Sequence, residues 1–156
     1  MKKNMFSMLT EAQYEGLLAD AVTEEYPAKS VIFREGDSGD SLYYIVSGDV
    51  SVRVKDDNGR QRWLTRLATG DFFGELSLFD GRPRSATIVA REQTRLKVIT
   101  REMFWRHVAE NPIVAGLVMQ ALGQRLREAN RHIARLYVHL KETQQDTTTV
   151  TQSYVV

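Results

Sequence analysis

The sequence predicts a mainly β chain with flanking helices: an antiparallel β-roll or barrel followed by a long C-terminal helix. Three observations predict it. Between Val22 and Ile99 apolar residues recur with a period of two, in short runs separated by turn residues. After Thr100 the period returns to that of a helix. From Met119 to Leu140 apolar residues alternate in steps of three and four, a heptad stripe.

The elements follow in order. Thr10-Glu11-Ala12-Gln13 resembles a capping box, with Leu17 and Leu18 as the apolar face of a short helix ending near Asp20. Strands are expected over Ser30 to Arg34, Leu42 to Ser47, Val50 to Lys55, Arg62 to Leu67, Ala86 to Ala90 and Arg95 to Ile99. Gly36-Asp37 and Gly39-Asp40 bracket one connection, Ser47-Gly48-Asp49 makes a tight one, and Asp56-Asp57-Asn58-Gly59 carries the Asn-Gly pair favoured in hairpins. Alternation sets Val50, Val52 and Val54 on one face of a sheet and Ser51, Arg53 and Lys55 on a wet one, while Tyr44 and Val46 continue a buried row. Met103, Phe104 and Val108 mark a short helix before Asn111-Pro112, which is a break or a helix start. Met119, Leu122, Leu126, Ala129, Ile133, Leu136 and Leu140 then line a helix roughly 33 Å long at about 1.5 Å per residue. Its first turns pack on the roll; farther along it outruns a small roll, and a parallel homodimer through the seam is expected. The polar segment QQDTTTVTQSYVV is too short for a domain and either lies free or adds a strand.

Composition limits the function. The 156 residues suit one domain with an appended element, and a formal charge of +1 argues neither for nucleic acid nor for an anionic membrane. With no cysteine, disulfides, thiolate metal sites and cysteine nucleophiles are excluded, which suits a reducing cytoplasm. Neither a signal peptide nor a transmembrane run is expected. The three histidines, His107, His132 and His139, all fall in predicted helices, so no imidazole set aims into the roll to hold a metal. No paired carboxylates at hydrolase spacing and no Ser-His-Asp set emerge, and neither a catalytic residue nor a metal site is assigned.

The segment from Asp71 to Thr87, DFFGELSLFDGRPRSAT, carries the chemistry instead. Phe72 and Phe73 anchor it, Gly74 permits a sharp turn and close approach, and Leu76 to Phe79 form one short helical turn with free N–H groups. Glu75 and Arg84 place opposite charges within nine positions. A 3′,5′-cyclic monophosphate has one negative charge and one free ribose hydroxyl. Arg84 offers a fork to the phosphate oxygens, Glu75 an acceptor to the 2′-OH, and Ser85 a further hydroxyl or N–H.

The run FGELSLFDGRPRSAT resembles the phosphate-binding cassette of the cyclic nucleotide-binding domain family, Phe-Gly-Glu-(Leu/Ile/Met)-Ala/Ser-Leu followed after a short insert by Pro-Arg-(Ser/Ala/Thr)-Ala-Thr. Glu35-Gly36-Asp37, Tyr44-Ile45-Val46 before Gly48, and Leu67 before Gly70 extend the resemblance over about Leu9 to Leu140, and it is especially similar to bacterial catabolite-activator-like sensors. The resemblance implies a jelly-roll-like, double-stranded β-helix over about 22–100 and a helix over about 112–142, together one cyclic nucleotide-binding domain (1–142), with 143–156 as a tail. It implies a ligand site of Phe73, Gly74, Glu75, Leu76, Ser77, Arg84, Ser85 and Ala86, with the long helix closing over the base near Ala129 and Asn130.

Asn130 lies on the e flank of the heptads, where its amide offers donor and acceptor to adenine. Cyclic AMP is the expected ligand, with cyclic GMP second because Ser85 stands where some guanine-selective relatives have threonine. The relatives' winged helix-turn-helix does not fit in the sixteen residues after Leu140. Arg125, Arg127, Arg131 and Arg135, with Glu128 interspersed, read as a solvated face. The expectation is a cytoplasmic, non-catalytic sensor acting through its C-terminal helix on its dimer twin or on a protein partner the sequence does not name. The alternatives are a roll that has lost its ligand and serves as a dimerisation module, or a truncated DNA-binding regulator.

Overall fold

A computed structural model of the chain describes residues 15–16 and 18–152, with side chains to residue 141. Two compact units emerge, Met1–Leu117 and Val118–Val156. The expected capping box, Thr10 to Gln13, and Leu17 lie outside the described residues; Glu15, Gly16, Leu18 and Ala19 are helical, with Leu18 buried.

Among its described residues the first unit holds eight strands in two antiparallel sheets. β1 (Val22–Tyr26), β3 (Ser41–Ser47), β6 (Phe72–Phe73) and β8 (Thr94–Thr100) form one in the order β1-β8-β3-β6. β2 (Val31–Phe33), β4 (Asp49–Lys55), β5 (Gln61–Ala68) and β7 (Thr87–Ala90) form the other in the order β2-β7-β4-β5. Every pairing is antiparallel, as the turn spacing predicts. The sheets pack face to face through Ile45, Phe73 and Leu96 from one and Val50 and Ile88 from the other. Burial of these side chains is the main source of cohesion, at about 1.5–3 kcal/mol for each large apolar one.

The helices α1 (Glu75–Asp80), α2 (Arg101–Glu110) and α3 (Ile113–Gln152) follow later in the chain. α1 packs on β3 and α2 on β8. These helices cover the outer side of the first sheet, and so Leu42 and Tyr44 are buried although they point away from Ile45. Thr100 caps α2 by accepting from the Met103 N–H at 3.3 Å. Arg101, the next residue, reaches back to α1: its Nε donates to the Leu78 carbonyl at 2.9 Å and its Nη2 to the Ser77 carbonyl at 2.7 Å. Phe104 is buried beside Phe79, ring centroids 5.4 Å apart.

Several expectations change. Two strands are additional: β1, whose VTEEY sequence is mostly exposed, and β6, which has two residues. The face holding Ser51 is wet only toward its end: Lys55 is exposed and Arg53 half-buried, but Ser51 is buried. Ser51 donates to the Val89 carbonyl at 3.4 Å and accepts from Arg53 Nε at 3.2 Å, so its covered hydroxyl is satisfied. Val46 and Val54 are only half-buried. The Asn58-Gly59 pair sits in a five-residue connection between Lys55 and Gln61 rather than a two-residue turn. Asp56 organises it by accepting from the N–H groups of Asn58 and Arg60 at 3.0 and 2.9 Å. Gly48 does make the tight β3–β4 turn, at φ 92°, and an added Cβ would lie 2.6 Å from the Gln93 carbonyl oxygen. α3 starts near the expected residue 112 with Val114 and Leu117 buried, but it continues to Gln152 through most of the segment read as a separate tail. Within the second unit, Met119, Leu126, Ile133, Leu136 and Leu140 of the heptad stripe are each more than half exposed.

Candidate functional site

The predicted binding segment is built from β6 outward. Phe73 pairs with Tyr43 across β3 and stacks on its ring, centroids 5.1 Å apart and planes 3° from parallel. This fixes where the chain leaves the sheet. Gly74 then takes φ 82°, a conformation that suits glycine, and becomes the N-cap of α1 without any side-chain capping bond. α1 ends at Gly81, φ 69°, whose N–H donates to the Ser77 carbonyl at 3.1 Å. The chain returns through 82–86 to β7.

That return is fastened to the β2–β3 connection. The Arg84 N–H donates to the Asp37 carbonyl and the Gly36 N–H to the Arg84 carbonyl, both at 2.8 Å. The Glu35 N–H donates to Thr87 Oγ1 at 3.0 Å. Arg84 is therefore held by its backbone on both sides.

Its side chain is 5% exposed. Nη1 donates to the carbonyls of Ser41 and Gly74, each at 2.9 Å. The guanidinium lies over the Phe33 ring at 4.3 Å and within 5.6 Å of the Tyr43 centroid. Burial pushes its pKa below the usual arginine value, opposed by Tyr43, Asp40, Asp37 and Glu75, and burial raises that of Tyr43. Among the described residues no ion pair includes Arg84, and its buried Nε has no hydrogen-bond partner. Carbonyl dipoles and an aromatic face offset only part of the desolvation of such a cation. An anion is the group that would complete it.

Gly74, Glu75 and Arg84 are brought together: Gly74 contacts the guanidinium directly, and Glu75, 8% exposed on the first turn of α1, bears on its charge. Leu76 and Ser85 are exposed alongside and Ala86 is half-buried. Phe73 serves the core with its side chain. Ser77 is buried at 2% exposure, and its carbonyl is the Arg101 acceptor described above. Ala129 and Asn130 are exposed on α3 in the second unit. Phe33, Tyr43 and the Ser41 carbonyl were not anticipated. Two inward aromatics on strands read as core, and a backbone acceptor leaves no signal in a sequence. His107 lies on α2 and His132 and His139 on α3; among the described residues no cluster of three His, Cys, Asp or Glu residues could hold a metal ion.

Comparison with known proteins adds an independent line. The family model for the cyclic nucleotide-binding domain matches residues 23–111. The cAMP-activated global transcriptional regulator CRP of Pasteurella multocida is 35% identical over 123 residues, covering 78% of this chain and 59% of that protein. The chain thus spans about three fifths of that relative's length. The crystal structure of Thermus thermophilus catabolite activator protein superposes with a TM-score of 0.79 at 34% identity, over 85% of this chain and 62% of the other. The c-di-GMP responsive global regulator CLP of Xanthomonas campestris gives a TM-score of 0.73 at 28% identity, over 81% and 64%.

Proposed function

The chain belongs to the cyclic nucleotide-binding domain family, and from that premise we propose that it is a non-catalytic sensor whose ligand is cyclic AMP. The observation that carries the reading is Arg84, a buried cation that forms no ion pair among the described residues, with an unpartnered Nε, seated against Gly74 where α1 begins. A cyclic phosphate supplies the missing negative charge, and the guanidinium fork suits two of its oxygens. Glu75, on the first turn of α1, accepts from the ribose 2′-OH. Gly74, Leu76, Ser77, Ser85 and Ala86 line phosphate and ribose, with Phe73 fixing the start of the segment. Ala129 and Asn130 of the long helix meet the base. The regulators named above respond to more than one cyclic nucleotide by their own descriptions, cAMP in one case and c-di-GMP in another, so the choice of cyclic AMP rests on the bacterial resemblance.

Binding is read out through α3, whose exposed apolar stripe from Met119 to Leu140 supports a parallel homodimer. In this reading ligand binding shifts the population of helix arrangements, and so changes contact with the dimer twin or with a protein partner. Among the described residues no helix is long and apolar enough to cross a membrane, and a cytoplasmic sensor is proposed.

Titration calorimetry with cyclic AMP, cyclic GMP and cyclic di-GMP tests the ligand. Heat with cyclic AMP, at higher affinity than for the other two, is expected. No heat and no thermal shift with any of them at about millimolar concentration sinks the sensor reading. Sedimentation with and without ligand tests the dimer, and a stable dimer indifferent to every nucleotide would favour a pure dimerisation module.

A further inference from the structure

We infer that Gly39, in the connection between β2 and β3, is a positioning residue for the Arg84 guanidinium, which makes that connection part of the anion site. The inference rests on the reading of Arg84 as the phosphate ligand. Two glycines occur in this connection and they differ in kind. Gly36 adopts φ 88° with open space around its Cα, so it answers the needs of a turn. Gly39 is outside the left-handed region, and a methyl group built on it would overlap Nε, Nη2 and Cζ of Arg84. Space, not backbone conformation, requires glycine at this position.

The guanidinium is confined elsewhere too. Gly74 also leaves little room, since an added Cβ would lie 2.8 Å from Nη1 and 2.8 Å from the Ser41 carbonyl oxygen. Phe33 covers one face, and Nη1 is committed to the carbonyls of Ser41 and Gly74. The Arg84 backbone is locked to Asp37 and Gly36 of the same connection. Bare Cα positions on two separate loops thus hold the group that meets the anion, and only Gly74 belongs to the binding segment itself. A side chain at residue 39 is accommodated most cheaply by the far end of arginine leaving its seat. The fold is then spared and the anion geometry is lost.

A double-mutant cycle tests this with Gly39→Ala and Arg84→Lys, read by calorimetric titration with cyclic AMP and by thermal unfolding. Gly39→Ala is expected to weaken binding about tenfold or more, with little change in the unfolding midpoint. In the Arg84→Lys background, where no guanidinium remains to be displaced, it should cause no further loss. Unchanged affinity for Gly39→Ala, or the same fold-loss in both backgrounds, overturns the inference. Nuclear magnetic resonance on the unaltered protein gives a second reading that needs neither Gly39→Ala nor a ligand. A nuclear Overhauser contact between the Gly39 α-protons and the Arg84 Nε proton is expected, the Nε signal being assigned by its loss in Arg84→Lys. Its absence also overturns the inference. If the unaltered protein binds no cyclic nucleotide while this contact is present, the ligand assignment falls and the positioning role stands.

Discussion

Replacing Arg84 with methionine separates binding from folding. In the folded chain the guanidinium makes two charge-assisted bonds, to Ser41 and Gly74, each contributing about 1.5–3 kcal/mol, and it lies on Phe33 for up to about 2 kcal/mol. Against this stands the burial of a cation that forms no ion pair among the described residues, which costs several kcal/mol. Methionine keeps an apolar stem over Phe33 and removes the charge, while leaving two carbonyls to be satisfied otherwise. The opposing terms are of similar size, and the unfolding free energy should stay within about 1.5 kcal/mol of the parent. Binding has no such compensation. Truncating the partner of a buried anion costs about 2–5 kcal/mol, so affinity for cyclic AMP should fall by roughly 30-fold to several thousand-fold. Urea denaturation and calorimetry on the same preparations measure the two quantities. Parental affinity in Arg84→Met would refute the phosphate assignment. A stability loss above about 4 kcal/mol with only slight weakening would show that Arg84 is chiefly a structural cation.

Glu75→Ala should weaken binding of cyclic AMP more than of its 2′-deoxy analogue, and equal losses in competition binding would remove Glu75 from the ribose. Arg101→Ala deletes two bonds to carbonyls of the six-residue helix α1 and should destabilise the chain by about 2–3 kcal/mol, with hydrogen exchange accelerated first at Ser77 to Gly81. Gly48→Ala combines an unfavourable φ of 92° with a Cβ set 2.6 Å from the Gln93 carbonyl oxygen; about 3 kcal/mol of lost stability is expected by denaturant titration. Ile133→Glu puts a charge into the exposed stripe of α3 and, on the proposed homodimer reading, should give a monomer in sedimentation where the parent gives a dimer, with nucleotide affinity measured alongside.

The candidate segment was legible because its chemistry is contiguous: Gly74, Glu75 and Arg84 lie in one short run, and glycines bound its helix at both ends. What surrounds Arg84 was not, because Phe33, Ser41 and the Asp37 carbonyl come from distant positions and carry no mark of their role in residue type alone. All six expected strands were legible within one residue at each end through period-two alternation. β1 escaped notice since an edge strand reading VTEEY needs no apolar alternation, and β6 because two residues have no period. The end of α3 failed for another reason. Threonines and valine near the C-terminus have low helix propensity, yet the helix runs through them to Gln152.

The strand order has a consequence for how the chain comes into being. β8 is the last strand to be synthesised and lies between β1 and β3, pairing Val22 with Val98 and Tyr43 with Val98 across opposite edges. Until a ribosome has released Thr100, β1 has no strand partner and β3 is paired only with the two-residue β6, so both wait with unpaired backbone edges. The β4–β5 hairpin can close early, since its partners are near neighbours in the chain. The first sheet therefore assembles late and all together, as is usual for strands joined by distant pairings. A product cut short before β8 would be an aggregation hazard rather than a smaller folded roll.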